Sequence, residues 1–161
     1  MQTRFAPLKG RAALGNPAGR FERQVRERCD DGWTQSGDEA PRVVQEILPE
    51  QARTIIARNS SPDVPFSQSV NPYRGCEHGC IYCYARPTHA FLNLSPGLDF
   101  ETRIVAKLNA AGRLREAFAR KGYEPKMLNL GSVTDAYQPV ERRLRITRAV
   151  VEVLAEHRHA F

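Results

Sequence analysis

Periodic patterns of apolar and polar positions appear mainly in the later part of the chain. Residues 1–50 scatter Pro, Gly and charge without helical or strand period and read as an irregular arm. Within that arm, Arg20–Arg28 predicts a short helix, stopped by the turn signal Asp30-Asp31-Gly32, and Trp33 is a candidate anchor. Residues 51–161 predict the core. Gln51–Asn59 has a modest helical or extended pattern, and the regular elements start near Pro65. Phe66–Tyr73 predicts a first strand, Phe100–Lys107 an extended segment, and Met127–Leu130 a second strand stopping at Gly131. Asn109 is a suitable N-cap for a helix reaching Arg120, with Leu114 and Phe118 on its buried face and Gly122 as its stop. A last helix, Arg142 to His157, carries Ile146, Val150, Val153 and Leu154 on its apolar face. Strand, loop and helix, repeated, predict an α/β fold of parallel β/α units.

Composition changes this picture little. The chain has 161 residues, 41% of them hydrophobic and 26% charged, as in ordinary globular domains. No apolar run approaches the ~20 residues of a membrane-spanning helix, which argues against an integral membrane protein. The net charge is +6, and residues 71–161 hold most of the excess, with 14 Lys and Arg against 9 Asp and Glu. A basic balance admits a polyanion such as nucleic acid as partner. The first 21 residues are basic and free of acid, which predicts a mobile tail rather than a targeting helix, since Pro7, Gly10, Gly15 and Pro17 interrupt it. An apolar secretory segment is missing from that stretch, and a cytoplasmic location is expected.

The candidate chemistry lies in the cysteines. Cys76, Cys80 and Cys83 fall within eight residues in a C-x3-C-x2-C spacing directly after a predicted strand, while Cys29 lies alone in the arm. Such clustering fits metal binding in a reducing compartment better than a disulfide framework. Zinc would need a fourth ligand from His78, His89 or Cys29. A cubane iron–sulfur cluster held by three thiolates would keep one iron open for chemistry. Metal-free core cysteines are the remaining reading, and the polar, glycine-containing surroundings speak against it. The spacing favours iron and sulfur.

The string Ser69-Val70-Asn71-Pro72-Tyr73-Arg74-Gly75-Cys76-Glu77-His78-Gly79-Cys80-Ile81-Tyr82-Cys83-Tyr84-Ala85-Arg86-Pro87 resembles the radical S-adenosylmethionine (SAM) superfamily. It looks most like the branch related to spore photoproduct lyase, the DNA-repair photolyase-like branch. The segments Ser95–Thr102 and Thr134-Asp135-Ala136-Tyr137-Gln138-Pro139 are similar to that branch too. The resemblance implies a partial parallel (β/α) barrel, a 4Fe–4S cluster on Cys76, Cys80 and Cys83, and reductive cleavage of SAM to a 5′-deoxyadenosyl radical. It implies Tyr82 against the adenine, and Ser132, Thr134 and Asp135 near the methionine ammonium, where most members carry a Gly-Gly-Glu type sequence. It implies a reductant protein such as a flavodoxin or ferredoxin.

Further residues complete the expectations. Arg74, Arg86, Arg142, Arg143, Arg145 and Arg148 would make a basic surface, solvated or facing phosphates. Only two β/α units can be placed after Pro65, so the chain reads as the N-terminal part of a longer enzyme, impaired when alone. The last helix would then lack part of its packing partner, and the second strand would have an open edge. A rival from another class is a metal-stabilised, non-catalytic nucleic-acid-binding module.

Overall fold

The computed structural model describes residues 11–23 and 44–161. Among them, six short strands form two three-stranded sheets. In the first sheet β1 (Glu46–Glu50) lies parallel to β5 (Arg103–Lys107), with Ile47 opposite Ile104, and β4 (Tyr73–Arg74) lies antiparallel on the other side of β5. In the second, β3 (Gln68–Val70) pairs antiparallel with β2 (Ile56–Arg58) and parallel with β6 (Leu128–Leu130), Val70 opposite Leu130.

The stretch expected to be one strand, Phe66–Tyr73, is therefore two strands in two sheets. Asn71-Pro72 separates them. Proline has no N–H for a continuous ladder, and its carbonyl instead accepts from Lys107 N at 3.0 Å. Residues 46–50, expected to be irregular, form β1; the run Glu-Ile-Leu-Pro-Glu contains a proline and no polar–apolar alternation, so no strand period stood out. The described part of the expected helix Arg20–Arg28 is a turn closed by Glu22 N donating to Gly19 O at 3.0 Å. Its remainder, with Cys29, Asp30-Asp31-Gly32 and Trp33, lies outside the described residues.

Among the described residues, a 3-10 helix (Arg86–Leu92), α1 (Leu98–Thr102) and α2 (Ala110–Phe118) lie between strands, and α3 (Glu141–Leu144) and α4 (Ile146–Glu156) follow β6. Phe100–Thr102, expected to be extended, closes α1 instead, because Thr102 Oγ1 donates to Leu98 O at 2.7 Å and Phe100 turns into the interior. Asn109 does precede α2, but its amide does not cap it. It brackets the backbone of Ala52, accepting from N at 2.9 Å and donating to O at 3.0 Å.

One core joins both sheets to both longer helices. Tyr73, Ile104 and Ala106 from the first sheet meet Val70 and Leu128 from the second, under Leu114 of α2 and Ile146, Val150, Val153 and Leu154 of α4. The expectation that the last helix lacks packing is thus corrected: Val150 and Val153 are 0% exposed. The edge of β6 is partly covered too, since Leu128 N donates to Ala160 O at 3.1 Å.

The expected helix Arg142–His157 is broken at Arg145, whose φ of 53° lies in the left-handed region. Glu141 makes the break stable. Its buried carboxylate accepts from Thr147 N at 3.0 Å and Arg148 N at 2.9 Å, capping the free N–H groups that open α4. The Tyr73 hydroxyl donates to the same carboxylate, and burial with this partner pushes the phenol pKa far up. Removing the acceptor strands two buried donors and a partly buried one, so Glu141→Ala should cost about 2–4 kcal/mol, against about 1 kcal/mol for Tyr73→Phe. Urea titrations of both variants check the ranking; equal, small losses contradict it.

Candidate functional site

Because β3 and β6 are parallel neighbours, the segments that follow them leave from the same end of the sheet. Ligands of parallel sheets gather beyond carboxyl ends of this kind. One segment runs through Asn71 and β4 into the cysteine loop; the other is Gly131–Val140. A polar network joins them. Asn71 Nδ2 donates to Ser132 Oγ at 3.0 Å, and Val133 N donates to Asn71 Oδ1 at 3.0 Å. Thr134 Oγ1 donates to Gly75 O at 2.6 Å, and fully buried Gln138 donates from Nε2 to Thr134 Oγ1 at 3.1 Å. Glu77 N donates to Gln138 Oε1 at 3.2 Å, and Val140 N returns to Glu77 Oε1 at 2.7 Å. In a partly buried site each such bond is costly to leave unmade.

The three cysteines occupy successive tight turns, with Cys83 N donating to Cys80 O at 3.2 Å and Arg86 N to Cys83 O at 3.3 Å. Cys76 is buried and Cys83 half-buried, both against Phe100, Ala85 and Val133; Cys80 is exposed. Burial pushes the Cys76 thiol pKa up, while nearby backbone N–H groups of His78 and Asp135 pull the other way. One of those N–H groups comes from each flanking loop. Among the described residues, no three Cys, His, Asp or Glu side chains gather closely enough to hold a single metal ion. Cys29 lies outside the described residues.

A buried ion pair fixes the loop from below. Arg86 Nη2 meets Glu101 Oε1 at 2.5 Å, with side-chain exposures of 11% and 0%. Arg86 also donates to Cys80 O at 3.0 Å, Gly79 O at 2.9 Å, Pro96 O at 3.1 Å and Gly97 O at 3.2 Å. A planar guanidinium with five donors can tie several backbone carbonyls at once; a lysine cannot. Arg86 therefore belongs to the interior of the loop, not to a basic surface. Gly79 passes close over the carboxylate with φ +64°, and a Cβ there would sit 2.8 Å from Glu101 Oε2.

Glu101 also holds the N-terminal arm, accepting from Ala12 N at 3.2 Å and Ala13 N at 3.0 Å, while Arg11 reaches Glu101 O at 3.1 Å. Further along, Leu98 N donates to Gly15 O at 3.1 Å, and Ser95 Oγ donates to Pro17 O at 2.6 Å. A Cβ on Gly97 would stand 2.1 Å from Gly15 O, so only glycine admits the arm here. The expected mobile tail is thus, over residues 11–17, a strap laid across α1.

The residues expected near a cofactor divide into two sets. Tyr82 is 87% exposed and free to meet a ligand. Asp135, exposed, accepts from Tyr137 N at 2.7 Å and faces His78 Nε2 at 3.2 Å, linking the two loops. Ser132 and Thr134 already have their hydroxyls in the network above, and the Tyr84 hydroxyl donates to Ser132 O. His89 is buried against the edge of Phe100 with Nε2 3.0 Å from Arg103 O; burial lowers its pKa and favours the neutral ring. Of the expected basic surface, Arg142, Arg143, Arg145 and Arg148 are exposed, Arg148 beside Glu152 at 3.0 Å, and Arg74 is half-buried.

The network residues Asn71, Gln138 and Glu101 were missed because buried polar residues look like surface ones in a sequence. Lys107 was missed for the same reason. It is buried at the end of β5, its pKa lowered by desolvation and by Arg74, against the pull of Glu50. Leaving Arg86 without its carboxylate gives a direct test. Glu101→Gln should lower stability by about 3–5 kcal/mol in urea and expose the strap to trypsin at Arg11. An unchanged midpoint with a protected Arg11 contradicts the role assigned to this pair.

No family model matches the chain, and no solved structure matches it. A segment of 92 residues is 44% identical to uncharacterized protein Rv2578c of Mycobacterium tuberculosis, covering 57% of this chain and 27% of that protein. The same figures hold for uncharacterized protein Mb2609c of Mycobacterium bovis. Uncharacterized protein MJ0683 of Methanocaldococcus jannaschii is 29% identical over 107 residues, covering 66% of this chain and 38% of that protein. The chain thus spans well under half the length of the curated relatives it matches.

Proposed function

We propose that the chain carries the cluster-binding part of a radical SAM protein of the photolyase-like branch, within a partial (β/α) barrel. The observation that carries this reading is the placement of Cys76, Cys80 and Cys83 on one loop beyond the carboxyl ends of a parallel strand pair. The donor set suits a 4Fe–4S cluster: three thiols on one glycine-containing loop, with nearby backbone N–H groups of His78 and Asp135 drawing the Cys76 thiol pKa down against its burial. Hydrogen bonds to ligand sulfurs favour the thiolate and tune such clusters. A single zinc ion needs four donors about 2.0–2.3 Å from one point, whereas thiolates on a cubane bind different corners and stand further apart.

On this reading Cys76, Cys80 and Cys83 hold the cluster, Tyr82 offers a free aromatic face, and Asp135 offers carboxylate oxygens to an ammonium. Ser132 and Thr134 act by fixing the loop that presents Asp135. The chemistry such a group supplies when bound is one-electron cleavage of SAM to methionine and a 5′-deoxyadenosyl radical. The electron would come from a flavodoxin or ferredoxin in the cytoplasm. The described residues contain no helix long and apolar enough to cross a membrane.

Anaerobic reconstitution with iron and sulfide should load about four irons per chain. Cys76→Ala, Cys80→Ala and Cys83→Ala should each lose the cluster, and Cys29→Ala should keep it. Full iron and sulfide retention in Cys80→Ala would overturn the assignment.

A further inference from the structure

Among the described residues, hollows also lie away from the cysteine loop. Two adjoining clefts, about 500 Å³ and 340 Å³, share Arg58, Gln68, Gly122 and Tyr123 as common wall. Gln68 opens β3, whereas the cysteine loop follows its other end, so the clefts sit at the amino end of the sheet. Their size is that of small-molecule sites, about 300–1,000 Å³.

Their charge is one-sided. Arg53, Arg58, Arg120 and Lys121 line the smaller cleft and make no ion pair among the described residues; Arg113 lines it too, paired with Glu116 at 2.6 Å. Glu124 is the single acid among the lining residues, and it faces Lys126 at 3.9 Å. A helix C-terminus attracts cations, which accounts for Arg120 and Lys121 just past α2. It does not account for Arg53 and Arg58, which come from the segment around β2. Like charges converging on one concave wall repel each other and focus a positive potential into it. Ser60 and Ser67 line the adjoining larger cleft, beyond the shared Arg58.

We propose that this cleft binds a triphosphate group, either inorganic or at the end of a nucleotide. A single phosphate brings about two negative charges, too few for four converging cations, whereas a chain of three phosphates can reach several of them together. A long phosphodiester strand would run across the surface and would not need a hollow. The cleft is independent of the cysteine chemistry, and either can fail without the other.

The test is calorimetric titration of the full chain at physiological salt with tripolyphosphate, ATP, inorganic phosphate and a single-stranded oligonucleotide. Tripolyphosphate and ATP should bind, with ATP tighter if the nucleoside is read as well. The double variant Arg58→Ala/Arg120→Ala should weaken both by about tenfold, two charge contacts' worth. Arg58→Lys/Arg120→Lys should restore much of the binding, which separates lost charge from lost fold. Arg142→Ala/Arg143→Ala, on another surface, should leave it unchanged. Equal loss in the Arg142/Arg143 variant, no uptake of either triphosphate, or an oligonucleotide that outcompetes tripolyphosphate at equal phosphate would each overturn the proposal.

Discussion

The architecture around the cysteines depends on one buried carboxylate. Glu101 has no exposed surface, and it faces a guanidinium, two arm amides and the turn at Gly79. Desolvating a carboxylate costs several kcal/mol unless its partners replace water. Here they do so by drawing together three chain segments that are remote in sequence: the strap at residues 11–17, the cysteine loop and α1. A carboxylate buried for packing alone would be a poor bargain; the pair earns its place by fixing where the loop's carbonyls point.

The second constraint is the parallel pairing of β3 with β6. It sends two chemically rich loops out of one end of the sheet, and the Asn71, Thr134, Gln138 and Glu77 bonds then lock them into one surface. The exposed set, Cys80, Tyr82 and Asp135, is displayed on this surface. The buried set beneath it makes the display rigid, as a binding or catalytic constellation requires.

How much of this could be read from the residues follows from what each signal measures. The apolar face of α4 was legible because Ile146, Val150, Val153 and Leu154 repeat with helical period, and all four are buried. The break at Arg145 was not, because the carboxylate that caps the new helix belongs to Glu141 and is held by Tyr73, far away in sequence. The clustering of Cys76, Cys80 and Cys83 on one loop was legible from their spacing. The strap was hidden because backbone groups, which carry no residue identity, make half of its hydrogen bonds, and Arg11 and Asn16, which make the rest, look like any surface residue. Arg86 looked like surface charge for the converse reason: a sequence displays a cation without showing the five acceptors around it. Pro72 could have warned that Phe66–Tyr73 does not run as one strand, since a proline there interrupts a ladder.

The central claim is that the cysteine loop holds an iron–sulfur cluster with one iron open to SAM. Electron paramagnetic resonance of the reconstituted, reduced chain tests it most directly. The account predicts a low-temperature signal of a reduced 4Fe–4S cluster whose g-values change when SAM is added, because the added ligand takes the free corner. A cluster signal that is indifferent to SAM would contradict the open iron, and a chain that takes up zinc but gives no cluster signal would contradict the account as a whole.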